Sequence, residues 1–171
     1  MKTKADSAPA TTTSFRDAMA RFTTSITAIT TMDGALPAGV LATSVCSLSA
    51  APPTILACIN KDASVHDLIV RSGVFAVNLL SDKQPHIAER FTSEKGAARF
   101  DPSAWRAGSH GVPILVGSVA SLACRLIASH DGYSHSILIG EIVDTTLHDA
   151  LDSSPLLWHR RGFASALAPQ P

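Results

Sequence analysis

A mainly β fold, an antiparallel barrel with a few short helices, is predicted by three features of this sequence. Strand-like runs outnumber helical ones. The strands do not alternate regularly with helices, which argues against a doubly wound parallel sheet. The glycine patterns that cradle phosphates in nucleotide folds, a GxGxxG after the first strand or a P-loop, are absent. The chain has 171 residues, a length that favours one domain. A chain this long buries roughly 70% of its unfolded surface and needs no disulfide or metal staple.

The elements follow in order. Met1 to Thr13 is polar and rich in Ala and Thr; it reads as a flexible tail ahead of a domain spanning 14–165. Ser14-Phe15-Arg16-Asp17 reads as a helix start capped by Ser14, with Phe15, Met19 and Phe22 on one face. Ser25 to Met32, rich in Thr and Ile, reads as a strand, and Asp33-Gly34 as a turn. Gly39 to Ser49 alternates like a strand, but both faces mix apolar and small polar residues, until Pro52-Pro53 stops the pairing. Thr54 to Asn60 is a continuous apolar strand. A helix capped by Ser64 follows and ends near Gly73. Val74 to Leu80 is a buried strand, and Ser81 to Gln84 is a capping box for a helix reaching about Phe91. Thr92 to Pro113 is long and irregular, the kind of segment that is more often functional than accidental. Ser118 to Ser129 and Tyr133 to Asp144 form a hairpin around Asp131-Gly132. The chain closes with Pro155 to Phe163, which carries Trp158, His159, Arg160 and Arg161.

Composition narrows the function classes. Fourteen basic residues balance fourteen acidic ones, without the basic excess of a nucleic-acid binder. Hydrophobic residues make up 46% and charged ones 16%, a globular composition. No apolar run approaches the ~20 residues of a membrane span, and the N-terminus lacks the apolar core of a secretory signal. Cys46, Cys58 and Cys124 are odd in number, form no CxxC and lie in apolar runs. They read as buried free thiols of a cytoplasmic protein. The seven histidines show no HExxH or other metal-ligand spacing. No nucleophile elbow or Ser-His-Asp order supports a hydrolase.

Two neighbouring segments carry the candidate chemistry. Along Thr43, Ser44, Val45, Cys46 and Ser47, small side chains let a planar ligand approach the backbone, whose N–H groups and short hydroxyls bond a polar ring edge. A strand whose small residues fit the taper of a barrel is the competing reading. At Asn60-Lys61-Asp62-Ala63-Ser64 a strand gives way to a helix, and free N–H groups with a lysine and a serine hydroxyl suit a phosphate. A plain helix cap beside a solvated lysine competes with that. One short strand joins the two segments, so both can reach one ligand, and a flavin has the required shape: a polar-edged ring and a phosphate at the other end. His135, three residues past the hairpin turn, is placed either to orient a nicotinamide and steady charge during hydride transfer or to sit as an ordinary strand histidine. Arg160, with Arg161 and Trp158, suits a phosphate or an adenine ring, or is a solvated tail. His66 and Asp67 either face this site or settle the first helical turn.

Gly39-Val40-Leu41-Ala42-Thr43-Ser44-Val45-Cys46-Ser47-Leu48-Ser49 followed by Pro52-Pro53 resembles the signature of short-chain flavin reductases, the reductase components of two-component flavin monooxygenases, and most of all the 4-hydroxyphenylacetate type. Cys58-Ile59-Asn60-Lys61 with Ser64 and His66, Phe75 to Leu80, Gln84 with Phe91, Leu122-Ala123-Cys124, and His135 with Gly140-Glu141-Ile142 continue it, from about Phe15 to Phe163. The resemblance implies an FMN-binding split β-barrel of Greek-key type and a homodimer. It implies FAD or FMN bound by Thr43–Ser47 and Asn60–Ser64 with Phe91, Trp158 and Arg160 nearby, and NADH or NADPH stacked on the flavin near His135. Reduced flavin would pass to a partner monooxygenase. The sequence departs from the pattern at Leu41, where members often have Thr, and at Tyr133-Ser134-His135, where many read Gly-Asp-His. The lost acidic neighbour of His135 keeps open a flavin- or haem-binding split barrel without turnover. An oxidase of the pyridoxamine-phosphate type is a more distant reading.

Overall fold

The computed structural model describes residues 11–148 and 154–166; residues 1–10 of the expected N-terminal tail lie outside them. Helix α1 (Thr12–Met19) is followed by β1 (Thr24–Ser25), β2 (Thr27–Asp33), β3 (Leu36–Ala42), β4 (Val45–Ala50) and β5 (Pro53–Asn60). Then come α2 (His66–Ser72), β6 (Val74–Leu79), α3 (Pro85–Ser93), β7 (Trp105–Ala107), β8 (Pro113–Leu115), β9 (Ala120–Gly132), β10 (His135–Leu147), β11 (Leu156–His159) and β12 (Gly162–Ser165). The expected mainly β class holds. Every strand pair is antiparallel, in one seven-stranded sheet of order β3-β2-β6-β9-β10-β5-β4 and two small sheets, β1-β11-β12 and β7-β8.

The first and last strands of the large sheet are neighbours in sequence. β3 pairs with β2 and β4 pairs with β5, so the chain changes partners at Thr43–Ser44. The run Gly39–Ser49 is therefore two strands around a corner rather than one. Ile29, Ile59, Phe75, Val77, Cys124 and Leu138, from five strands, pack in a single core against Ala38 and Val40 of β3. The sheet thus wraps round until its two edges meet at that corner, without a hydrogen-bonded ladder between β3 and β4. Gly140 permits the tight packing: a Cβ there would lie 2.5 Å from the Phe75 ring.

Several boundaries shift for local reasons. Thr11, not Ser14, caps α1; Ser14 sits at the third helical position and returns the capping bond. α2 starts at His66 after Val65, so Ser64 caps nothing, because the His66 N–H is already spent on Ala63 O. Its C-terminus is as expected, at left-handed Gly73. Gln84 Oε1 accepts from Ser81 N–H, but the Ser81 hydroxyl accepts from Lys83 N–H, so the expected capping box becomes a turn that precedes α3. The β9–β10 hairpin turns at Tyr133–Ser134, two residues later than Asp131-Gly132, since Gly132 pairs with His135. The irregular segment 94–117 is anchored by a buried polar cluster. Asn78, 0% exposed, accepts from Leu115 N–H and the Ser121 hydroxyl and donates to carbonyls of Ala28 and Pro113.

Candidate active site

Three segments converge on one end of three adjacent strands: the β3–β4 corner, the end of β5 and the start of β10. Cys58 N–H donates to Ser44 O at 3.0 Å, Asn60 is the register partner of His135, and Lys61 N–H donates to Ser134 O at 3.0 Å. Thr43 and His135 are therefore separated by about two strand spacings, or roughly 10 Å. Thr43 and Ser44 are exposed, and neither backbone amide has a protein acceptor among the described residues. An antiparallel ladder satisfies its amides. A corner that changes partners cannot, and these two donors are left for a ligand.

The residues at this end are fixed by one another. Lys61 pairs with Asp131 across the hairpin, and its hydrogen bond and charge hold the Asp131 carboxyl below the usual carboxylate range. Asn60 Oδ1 accepts from Asp62 N–H at 2.9 Å and shapes the turn. The Ser134 hydroxyl lies 2.9 Å from Nδ1 of His135. It occupies the flank where an acidic neighbour was missed in the sequence, and it leaves Nε2 as the ring nitrogen available to a ligand. His66 reaches Ser136 through Nε2 and Asp67 through Nδ1, each at 2.8 Å. Ser136 is buried and alternates with His135 along β10, so His66 braces the strand from the face opposite His135.

A cleft of about 520 Å³ opens beside Thr43, lined by Ile26, Leu41, Ala42, Thr43, Ala88, Thr92, Trp158, Arg161, Gly162 and Phe163. A second hollow of about 420 Å³ shares Thr43 and is lined by Thr23, Thr24, Ser25, Thr27, Val45, Val77 and Leu122 among others. Both volumes are in the range of small-molecule sites. The donor set fits a flavin: unspent amides and hydroxyls for a polar ring edge, an apolar floor, aromatic walls and a guanidinium for a phosphate.

The predicted residues divide accordingly. Asn60, Lys61 and His135 meet at the strand ends, Thr43 and Ser44 stand at the corner two strands away, and of these five Thr43 alone lines the two clefts, with Val45 lining the second. Cys46 and Ser47 are exposed further along β4. Ser64 is exposed in the loop before α2. Phe91 is a correction: it is 3% exposed, enclosed by Phe100 and Trp105 at ring distances of 5.3 and 5.8 Å, and supports α3 from within. Trp158 lines the cleft, and of the two arginines it is Arg161 that does so. The expectation of three buried thiols also fails in part. Cys124 is buried, which pushes its pKa up to about 12, whereas Cys58 is half-buried and Cys46 exposed. Among the described residues no group of three or more His, Cys, Asp or Glu is placed to hold a metal. Asp131 and Ala42 were not singled out in the sequence, because their positions depend on the hairpin register and on the strand switch.

Comparison with known proteins gives the family. Residues 19–167 match the flavin reductase like domain. The chain is 35% identical over 148 residues to the FMN reductase (NADH) RutF of Agrobacterium fabrum, covering 86% of this chain and 84% of that one. It is 36% identical over 146 residues to HsaB of Rhodococcus jostii, the reductase subunit of a flavin-dependent monooxygenase, covering 85% and 73%. A solved NADH:FAD oxidoreductase, SgcE6 of Streptomyces globisporus, in complex with NAD and FAD fragments, superposes with a TM-score of 0.82 at 31% identity, over 92% of this chain and 93% of that one.

Proposed function

The chain belongs to the flavin reductase like family and is an NAD(P)H:flavin oxidoreductase, and we propose that its flavin sits at the Thr43–Asn60–His135 end of the sheet. The observation that carries this placement is the pair of unspent corner amides facing the same end of the sheet as a half-buried histidine two strands away, with β5 between them. FMN or FAD held there would supply the hydride-accepting ring for NADH or NADPH. The Thr43 and Ser44 amides and hydroxyls hold the polar edge of the ring. Leu41 and Ala42 exclude water from one side of it. His135, steadied through Nδ1 by Ser134, presents Nε2 to the nicotinamide carboxamide or to the developing charge. Lys61, tied to Asp131, keeps the β5 turn against the β10 start rather than acting as a loose phosphate ligand.

The reduced flavin is supplied to a separate monooxygenase, in keeping with a relative that is a monooxygenase reductase subunit. A homodimer accounts for β4, an edge strand that leaves Cys46 through Ala50 exposed. No helix among the described residues is long and apolar enough to cross a membrane; three free thiols fit the cytoplasm. The test is a matrix of NADH and NADPH against FMN, FAD and riboflavin, followed by absorbance at the nicotinamide band. Oxidation of nicotinamide that requires added flavin is expected. Flavin that stays bound through gel filtration with no nicotinamide oxidation in any pairing would instead mean a binding protein without turnover.

A further inference from the structure

The β11–β12 hairpin turns on Arg160–Arg161, and both arginines have left-handed backbone angles, φ 48° and 65°. Such a turn suits Asn-Gly or Gly-Gly, because a Cβ crowds the backbone there. Below it, Trp158 and Phe163 are register partners with rings edge-to-face at 5.6 Å. Arg161, Trp158 and Phe163 together form one wall of the cleft beside Thr43. The turn keeps two arginines at a strained position and sets one of them over a ligand-sized space. Strain kept in this way points to a use for the side chain.

Arg161 has one side-chain partner among the described residues. Its Nη2 donates to Oδ1 of Asp17 on α1 at 2.6 Å. α1 buries no residue of its own, and Phe15 and Phe22 stand 60% and 61% exposed. Apart from that ion pair, Arg160 N–H to Ala20 O at 2.7 Å ties the end of the helix to the hairpin. Both charged partners are more than half exposed, 57% for Asp17 and 64% for Arg161, the setting in which an ion pair is weakest. A phosphate offers a guanidinium more charge than a carboxylate and the same two-pronged geometry.

We propose that Arg161 is the anion anchor of the cleft and Asp17 its placeholder. A phosphate of the flavin or of the nicotinamide dinucleotide displaces Asp17 from Arg161, and α1 thereby loses its side-chain tie to the hairpin and keeps only the backbone bond at Ala20. The inference rests on the flavin reductase reading and extends it to the phosphate-bearing end of the ligand and to a helix that responds to it.

The experiment measures binding directly. Arg161→Asn is the variant of choice, since Asn accepts the left-handed angle; its melting temperature should be equal to or above that of the native chain, which separates a lost ligand from a lost fold. Flavin fluorescence titrations give Kd for FMN and riboflavin, and protein fluorescence gives Kd for NADH and for dihydronicotinamide riboside, which lacks phosphate. The native chain should prefer one phosphate-bearing form over its phosphate-free counterpart by about tenfold, and Arg161→Asn should bring that ratio close to one. Collapse of the flavin ratio alone assigns the flavin phosphate; collapse of the nicotinamide ratio alone assigns the dinucleotide. Asp17→Asn should tighten the phosphate-bearing form, and amide exchange across 12–19 should quicken when that form is added to the native chain. Ratios unchanged in Arg161→Asn, or α1 exchange unchanged by ligand, would overturn the proposal. A native chain that reduces no flavin would instead remove the reading on which it rests.

Discussion

Two polar clusters in this molecule use the same kinds of side chain to opposite ends. Around Asn78, buried Thr30, Ser118 and Ser121 join carbonyls of Ala28 and Pro113 and the Leu115 N–H, and both ends of the Asn78 amide are fully engaged. Around His135, the hydroxyls and amides of Thr43 and Ser44 and one ring nitrogen keep bonding capacity to spare. The first cluster binds β2, β6, β8 and β9 to one another. The second stands where strands end and change partners, so its geometry is set but its donors are not spent. In a polar network, complete satisfaction makes structure, and partial satisfaction held rigid makes a site.

The contrast breaks first, and with the largest effect, at Asn78. Asn78→Ala strands the Leu115 N–H and the Ser121 hydroxyl in the core and should cost about 3 kcal/mol. Urea unfolding will read this, and a midpoint within error of the native chain would mean the cluster is not a clamp. The complementary change is His135→Ala. It should slow flavin reduction about 100-fold in stopped flow and weaken flavin binding by less, while stability moves within about 0.5 kcal/mol. An unchanged reduction rate would take His135 out of the chemistry.

The smallest effect lies at the Lys61–Asp131 tie. Asp131 has a depressed pKa in the folded state, so the stability it adds is present above its ordinary value and lost as pH falls through the folded one. Asp131→Asn should lower the unfolding midpoint at neutral pH. The difference from the native chain should shrink below about pH 4. A difference constant from pH 6 to pH 2 would show that the pair contributes nothing through its charge.

Much of the fold was legible because local chemistry agrees with it. Gly73 at a helix end, the Asp33-Gly34 turn and the apolar run of β5 mean the same thing in isolation and in place. The proposed site was legible only as residue types: small and polar at 43–44, Asn-Lys at 60–61, a histidine beyond a hairpin. Phe91 was misplaced because an aromatic on an amphipathic helix has the same spacing whether it lines a cleft or packs against Phe100 and Trp105. Arg160 and Arg161 could not be told apart, since adjacent residues of a turn point in different directions and only the turn's backbone angles decide which one faces the cleft.

The sequence by itself determined the antiparallel class, the turns of the β2–β3 and β9–β10 hairpins to within two residues and, through the resemblance its motifs carry, the flavin chemistry, because these depend on short-range pattern and on residue identity. Only the tertiary structure decided that Gly39–Ser49 breaks at Thr43–Ser44, that Asn60 stands opposite His135, and that Asp17 holds Arg161. Each of these depends on which distant strand the backbone pairs with, and hydrogen-bond partners and register are settled by packing across the whole sheet rather than by neighbours along the chain.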